Sequence, residues 1–382
     1  MAEHRRAAPR RRDRGRGAGV TRLASAQALR RHGPQGERWA SALDRSDPLA
    51  DAVAERIAAD PATMGTLHRA LSGTPAGRAG GSLPPELDAL FASVTTLPPG
   101  VDHDAIARGG RLFFRTGAAG GLALGAGSLV GGYASPDGNK PLIRTRRLLD
   151  DVPRRLAETA SFVVAVHSPG GILPGGEGWR LALHVRVMHA VVRRRLRLDP
   201  TWDPCWGLPL NQHDLGGTLL LFSIIWVEAV RRLGWPVTGA EAEDHVALWR
   251  VAGRWMGVDE ELLPVNEADA LASSALIAAT ERAPDDDARR LVRALLASGP
   301  PGRTRPVRVA FAEAIVRHVQ GPALADPLGL GDGPAKHLIP LFTLPNGPLS
   351  WLGRRSARAE ALLVSSGERY WRTTVDSGAP PP

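Results

Sequence analysis

The sequence predicts an all-α, multi-helix protein, and three observations carry that prediction. Apolar residues recur every three or four positions through long stretches. Alternating apolar and polar runs of strand length are scarce. Clusters of Gly and Pro punctuate the periodic stretches instead of flanking short strands. With 382 residues and 43% hydrophobic content the chain can bury a sizeable core, as one large domain or two of ordinary size. Cys205 is the only cysteine, which excludes an intrachain disulfide and a thiolate metal cluster.

The net charge of +9 belongs to one end. Residues 1–31 carry ten arginines and two acids, which leaves the remainder at about +1. Residues 1–35, with Arg10-Arg11-Arg12 and few apolar side chains, read as a disordered tail. It could attract nucleic acid or anionic lipid, but is read as a solvated leader with no specific nucleic-acid partner. No apolar stretch of signal-peptide length follows its arginines, so a cytoplasmic location is expected. Residues 36–372 form the expected helical domain, and residues 373–382 a frayed, disordered end.

Short helices are expected from Trp39 to Leu43, Leu49 to Ala59 and Met64 to Leu71, followed by a linker from Gly73 to Pro85. A helix over Leu87 to Val94 ends before Pro98-Pro99. The stretch 102–116 reads as helix. Gly117 to Tyr133 then lacks any charge, and its glycines at 117, 121 and 125 permit close backbone approach. At this length and composition it is expected to be a buried hairpin or broken helix rather than a transmembrane span. Arg144 to Val166 reads as one helix broken near Pro153. Further helices follow over Trp179 to Leu196, Asn211 to Leu233, Glu241 to Met256, Glu267 to Ala283, Asp286 to Ala297, Pro306 to Val319 and Gly353 to Trp371.

Several chemistries are excluded. No P-loop, no Gly-x-Ser-x-Gly elbow and no His-Glu-x-x-His occurs. His184 and His189 are five apart, about 140° around a helix, and cannot chelate one metal from one face. The paired acids Glu241/Glu243 and Asp285 to Asp287 read as solvated surface.

What remains is a set of polar residues in apolar helices. Arg186, His189 and Arg193 share one helical face, because their spacings are three and four. An imidazole between guanidinium groups is either a core histidine beside solvated arginines or an iron ligand whose arginines meet porphyrin propionates. Arg155 and Thr159, four apart, share another face. A buried Arg155 would need an anion. The Thr159 hydroxyl would bond a carbonyl four residues back, or donate to a ligand such as bound dioxygen. Asn211 is a plausible N-cap with Asp214 at the third helical position, which leaves His213 unexplained.

In order, these segments read Arg-Leu-x-x-Thr-x-x-Phe-Val, Val-Arg-x-x-His-Ala-x-Val-Arg and Pro-x-Asn-Gln-x-Asp-Leu-x-x-Thr-x-x-x-Phe-Ser. Trp249-Arg250, Met256-Gly257-Val258, Gly131-Gly132-Tyr133-Ala134 and Thr145-x-Arg147-Leu148 accompany them. The set, over roughly residues 105–280, resembles the latex clearing protein (rubber oxygenase) family with the related MpaB-type oxygenases. The resemblance implies a globin-like helical core holding a b-type haem, with His189 as the iron ligand and Arg155 and Thr159 beside it in catalytic roles. From charge and face, Arg186 and Arg193 are candidate propionate partners, with Arg155 also at the cofactor. The implied function is a haem oxygenase that uses dioxygen on an apolar, unsaturated or isoprenoid-like molecule. The alternatives are a non-catalytic haem-binding or sensor protein of the same fold, and a helical binding module without cofactor. Two departures stand out. Where rubber-cleaving members can carry a lysine before the motif threonine, this chain has Glu158. Where they use a glutamate as proposed base, it has Asn139, with Asp137 as a possible substitute. Lys140, one of two lysines, is read as a loop residue kept for solvation.

Overall fold

The structure, a computed structural model, describes residues 21–72, 83–98, 100–145, 151–298 and 303–376. All regular elements among them are helical. The first five are α1 (Thr21–Arg30), α2 (Gly33–Ser41), α3 (Pro48–Ala59), α4 (Ala62–Ser72) and α5 (Pro85–Ala92). Then come α6 (His103–Ala123), α7 (Val130–Ala134), α8 (Lys140–Thr145), α9 (Val152–His167) and α10 (Glu177–Arg197). The second half holds α11 (Gln212–Phe222), α12 (Ile224–Arg232), α13 (Gly239–Trp255), α14 (Glu267–Thr280), α15 (Asp286–Leu296) and α16 (Arg305–Gln320). After the one-turn α17 (Pro322–Ala325), α18 (Ile339–Thr343), α19 (Asn346–Arg355) and α20 (Ala357–Asp376) complete the chain.

Helix α6 is the spine. It packs against α13 on one side and α20 on another, and touches α9 and α12. These approaches are close enough to require glycine. A Cβ on Gly367 of α20 would sit 1.7 Å from the Phe114 carbonyl oxygen of α6. One hydrophobic cluster runs through the whole body, from Ala26 to Trp371. Its buried tryptophans anchor connections: Trp226 Nε1 donates to Gly120 O at 3.0 Å and Trp255 Nε1 to Ile172 O at 2.9 Å.

The glycine-rich stretch is a broken helix, not a hairpin. Gly117 interrupts α6 with φ 47° and ψ −121°, values open to glycine. The chain then widens into a π-helical turn over Leu124–Leu129 before α7. A π turn disturbs the normal ladder, and here Gln320 Nε2 donates to the carbonyls of Ala126 and Gly127 at 2.8 and 2.7 Å.

Four boundaries differ from expectation. Residues 21–35 are not a disordered tail: α1 and the start of α2 are formed, with Leu29 and Gly36 buried, because a short apolar stripe follows the arginines. The first 20 residues lie outside the described ones, as does most of the expected 73–85 linker. Asn211 to Leu233 is two helices, parted where Ser223 leaves helical geometry (φ −91°, ψ −91°). Gly353 to Trp371 is split at Ser356, whose extended backbone (ψ 115°) separates α19 from α20. Helix α20 runs on to Asp376 with Thr374 buried, so residues 373–376 are helical, while 377–382 lie outside the described residues. The segment Gln212–Arg232 is long and apolar enough to cross a membrane by composition alone, but 56% of it is buried inside the fold.

Candidate functional site

The site is built on the face of α10 that carries Arg186, His189 and Arg193. Both arginines are buried, and a buried guanidinium requires a counter-charge. Helix α3 supplies it. Asp47, its N-cap, accepts Arg186 Nε at 2.6 Å and Nη2 at 2.9 Å, a two-pronged pair closed to solvent. Asp51, one turn on, accepts Arg193 Nε at 2.8 Å, and Arg193 Nη1 donates to Leu210 O at 2.6 Å. Leu210 is the only non-glycine residue with positive φ (51°) among the described residues. Arg193 therefore pins a left-handed backbone just before α11.

Arg186 is committed to Asp47 through Nε and Nη2 and clamps α10 to the start of α3. The Asp47–Arg186 pair is roofed by Gly257: a Cβ there would lie 2.1 Å from Asp47 Oδ2, and its φ of 79° excludes most side chains. Arg193 differs, since its Nη2 is buried without a hydrogen-bond partner and remains available to an anion. Glu55, four residues beyond Asp51, takes Arg194 at 2.8 Å. The acids 47, 51 and 55 thus form one stripe at helical spacing, a signal present in the sequence that went unused.

His189 lies between the clamps. Its Nδ1 is buried and has no hydrogen-bond partner. Burial, followed by the positive charges of Arg155 and Arg193, lowers its pKa to about 4, against a small opposing pull from Asp47. The ring is neutral at pH 7 and keeps a free lone pair.

Helix α9, which carries Arg155 and Thr159, packs against α10. Arg155 is not buried: its side chain is 43% exposed and it pairs with Glu158 at 3.1 Å. Its charge still reaches His189 and Tyr133. The Tyr133 phenol, buried next to the π turn, is pushed up to about 12 by desolvation and stays protonated. The Thr159 hydroxyl donates to Arg155 O at 3.0 Å, the backbone bond anticipated for a helical threonine. The structure thus brings Arg155, His189 and Arg193 into one electrostatic neighbourhood with Tyr133, a residue that sequence reasoning quoted but gave no role.

Asn139 is fully buried, its Nδ2 donating to Tyr133 O at 3.1 Å and its Oδ1 unpartnered. Asp137 is bound to Arg282 at 2.5 Å and is not free to act as a base. Lys140 is not a solvated loop charge. It is buried and held by Asp285 and Asp287 at 2.6 and 2.8 Å, because α15 begins against it. Asn211 caps α11 as expected, accepting Asp214 N at 2.9 Å. Gln212 ties two loops to the start of α11, one through Ser46 O and the other through Gly257 O and Asp259 N. His213 is explained by packing, edge-on to Trp39 at 5.6 Å.

The residues suit the proximal side of a porphyrin. A neutral imidazole with an orphaned Nδ1 sits on α10, with one unmatched guanidinium donor and a further cation nearby. No cluster of three metal-binding side chains exists among the described residues, so a metal here would rest on His189 and the cofactor's own ligands.

Residues 114–344 match the family described as "ER-bound oxygenase mpaB/B'/Rubber oxygenase, catalytic domain". The matched span contains Tyr133, Arg155, His189 and Arg193 but not Asp47 or Asp51. The chain is 26% identical over 312 residues to the rubber oxygenase of Streptomyces sp. (strain K30), covering 76% of this chain and 75% of that protein. Its fold is similar to the structure of latex clearing protein LCP in the closed state, with a TM-score of 0.59 at 22% identity, over 86% of this chain and 88% of that one. The all-α fold and the matched domain together place this chain in the mpaB/rubber oxygenase family.

Proposed function

We propose that the protein is a haem b-dependent oxygenase in which His189 ligates the iron and the substrate is an apolar, unsaturated molecule of isoprenoid-like character. The observation that carries this reading is the His189 ring: neutral, orphaned at Nδ1, and under the positive charge of Arg155 and Arg193. Haem, when bound, supplies the activation of dioxygen at iron, a chemistry that no side chain of the chain offers.

The chain's own residues do the rest. The Asp47–Arg186 and Asp51–Arg193 pairs fix α10, and so the direction of the His189 ring. Arg193 Nη2 and the Arg155 guanidinium provide positive charge for the carboxylates of the porphyrin edge. Tyr133, buried and with its pKa pushed up, stays a neutral phenol near Arg155. Thr159 must break its bond to Arg155 O before its proton can reach a ligand.

The second reading, a haem protein of the same fold without oxygenase activity, is favoured by Asn139, an amide that exchanges no proton at the place where relatives carry a base. Oxygen uptake by haem-loaded protein separates the two. Consumption that depends on an added polyunsaturated alkene and yields carbonyl products supports the oxygenase. A haem-loaded protein that consumes no oxygen with any alkene supports the second reading and overturns the first. The third reading, a binding module without cofactor, predicts a colourless protein.

A further inference from the structure

The segment Gly333 to Ala359 contains Lys336, Arg354, Arg355 and Arg358 and not one carboxylate. It forms α18 and α19, which lie on the body with one side only. Ile339, Asn346, Ser350 and Gly353 face inward and are buried, and Asn346 Nδ2 fastens the segment to Leu233 O at 2.7 Å. The outward positions are apolar. Leu341 and Leu344 are more than 70% exposed and Trp351 is 55% exposed, with Leu338, Leu349 and Leu352 also open to solvent. Six large apolar side chains this exposed within fifteen residues make an apolar strip that none of the described residues covers. The Arg355 guanidinium lies over the Trp351 ring at 4.6 Å, and Arg358 is exposed beside it.

Lys336 is paired with Asp332 at 2.7 Å and Arg354 lies 3.6 Å from Glu241, so the cations left at the border of the leucines and the tryptophan are Arg355 and Arg358, a combination that matches the boundary of an anionic bilayer. Tryptophan favours the headgroup level, and arginine meets lipid phosphates. A second copy of the chain would instead oppose two sets of arginines across a two-fold axis. We propose that the α18–α19 face docks the protein on an anionic lipid surface, with Leu341, Leu344 and Trp351 entering the headgroup region and Arg355 and Arg358 contacting phosphate. This docking is peripheral and spans nothing. It does not depend on the haem reading, and it lies largely beyond the family match, which ends at residue 344.

The test is co-sedimentation of the full chain with phosphatidylcholine vesicles, with and without phosphatidylglycerol, at physiological salt. The Arg-rich first 20 residues can also attract anionic lipid, so the comparison is between wild type and a Leu341→Ser/Leu344→Ser/Trp351→Ser variant with the same tail. The expected result is binding to the phosphatidylglycerol vesicles that drops at least about tenfold in the variant. Bromine-labelled acyl chains should quench tryptophan fluorescence in wild type and not in the variant. An Arg355→Gln/Arg358→Gln variant, which leaves the apolar strip intact, should weaken binding to anionic vesicles and leave binding to neutral ones unchanged. Equal sedimentation of wild type and both variants overturns the proposal. So does a wild-type dimer in solution that the triple variant converts to monomer, since the strip is then covered by a second copy.

Discussion

The two helices that meet at the site are held in opposite ways. On α10, Arg186 and Arg193 are buried and locked to Asp47 and Asp51 of α3. On α9, Arg155 is 43% exposed and, among the described residues, pairs with Glu158, three residues away on its own helix. The first side is a rigid mount, joined to parts of the chain about 140 residues earlier. The second is a local, solvent-screened arrangement. The contrast teaches where the architecture concentrates its constraint: it fixes the imidazole and leaves the opposing side chains adjustable. Departures from the rubber-cleaving pattern fall on the adjustable side, at Glu158, and in the loop before α8, at Asn139.

Breaking the mount should have the largest effect. Asp47→Ala leaves Arg186 buried without its partner and is expected to cost about 3–5 kcal/mol in chemical denaturation. An Asp47→Ala/Arg186→Met double variant, which removes the stranded charge, should recover much of that loss. If the single variant were as stable as wild type, the pair would not be the clamp described.

Acid comes next. His245 is fully buried in a stack with His167 and Trp226, and burial lowers its pKa from 6.5 to about 4. His189 is lowered to a similar value, and His167 moves the same way through burial and its neighbour His245. The unfolded chain binds these protons near pH 6.5 and the folded one resists them. Stability is therefore full above pH 6.5 and falls as pH drops towards 4. For His245 alone the loss approaches about 3 kcal/mol, at roughly 1.4 kcal/mol per pH unit. Denaturation curves between pH 7 and 4.5 test this, and His245→Phe should flatten the slope.

Gly257→Ala probes the roof of the clamp. Its φ and the contact with Asp47 Oδ2 predict a loss of about 1–3 kcal/mol, and Gly257→Ser should be no better. The smallest stability effect belongs to α9. Arg155→Gln removes an exposed ion pair, and less than about 1 kcal/mol should change. The same substitution removes a positive charge that holds the His189 pKa down, so titration of that ring by NMR should move upward.

Much of the helical layout was legible because long apolar periods with Gly/Pro punctuation leave little choice of element. Breaks inside periodic stretches were read less well: Ser356 carries a local N-cap signal, its Oγ accepting Ala359 N at 3.3 Å, that was passed over, while the break at Ser223 falls inside an unbroken apolar run. The roles of Arg186 and Lys140 were missed because their partners lie 139 and 145 residues away. Charge type and face put Arg193 near His189, whose ring feels its charge. Which arginine was already spoken for depended on a stripe of acids on α3 that only the packing aligns with α10.

The central claim is that His189 holds an iron porphyrin, and an absorption spectrum tests it most directly. Wild-type protein produced with haem available should carry a Soret band, and His189→Ala, folded and equally helical by circular dichroism, should lose it. A colourless wild type, or an undiminished haem content in His189→Ala, would contradict the assignment.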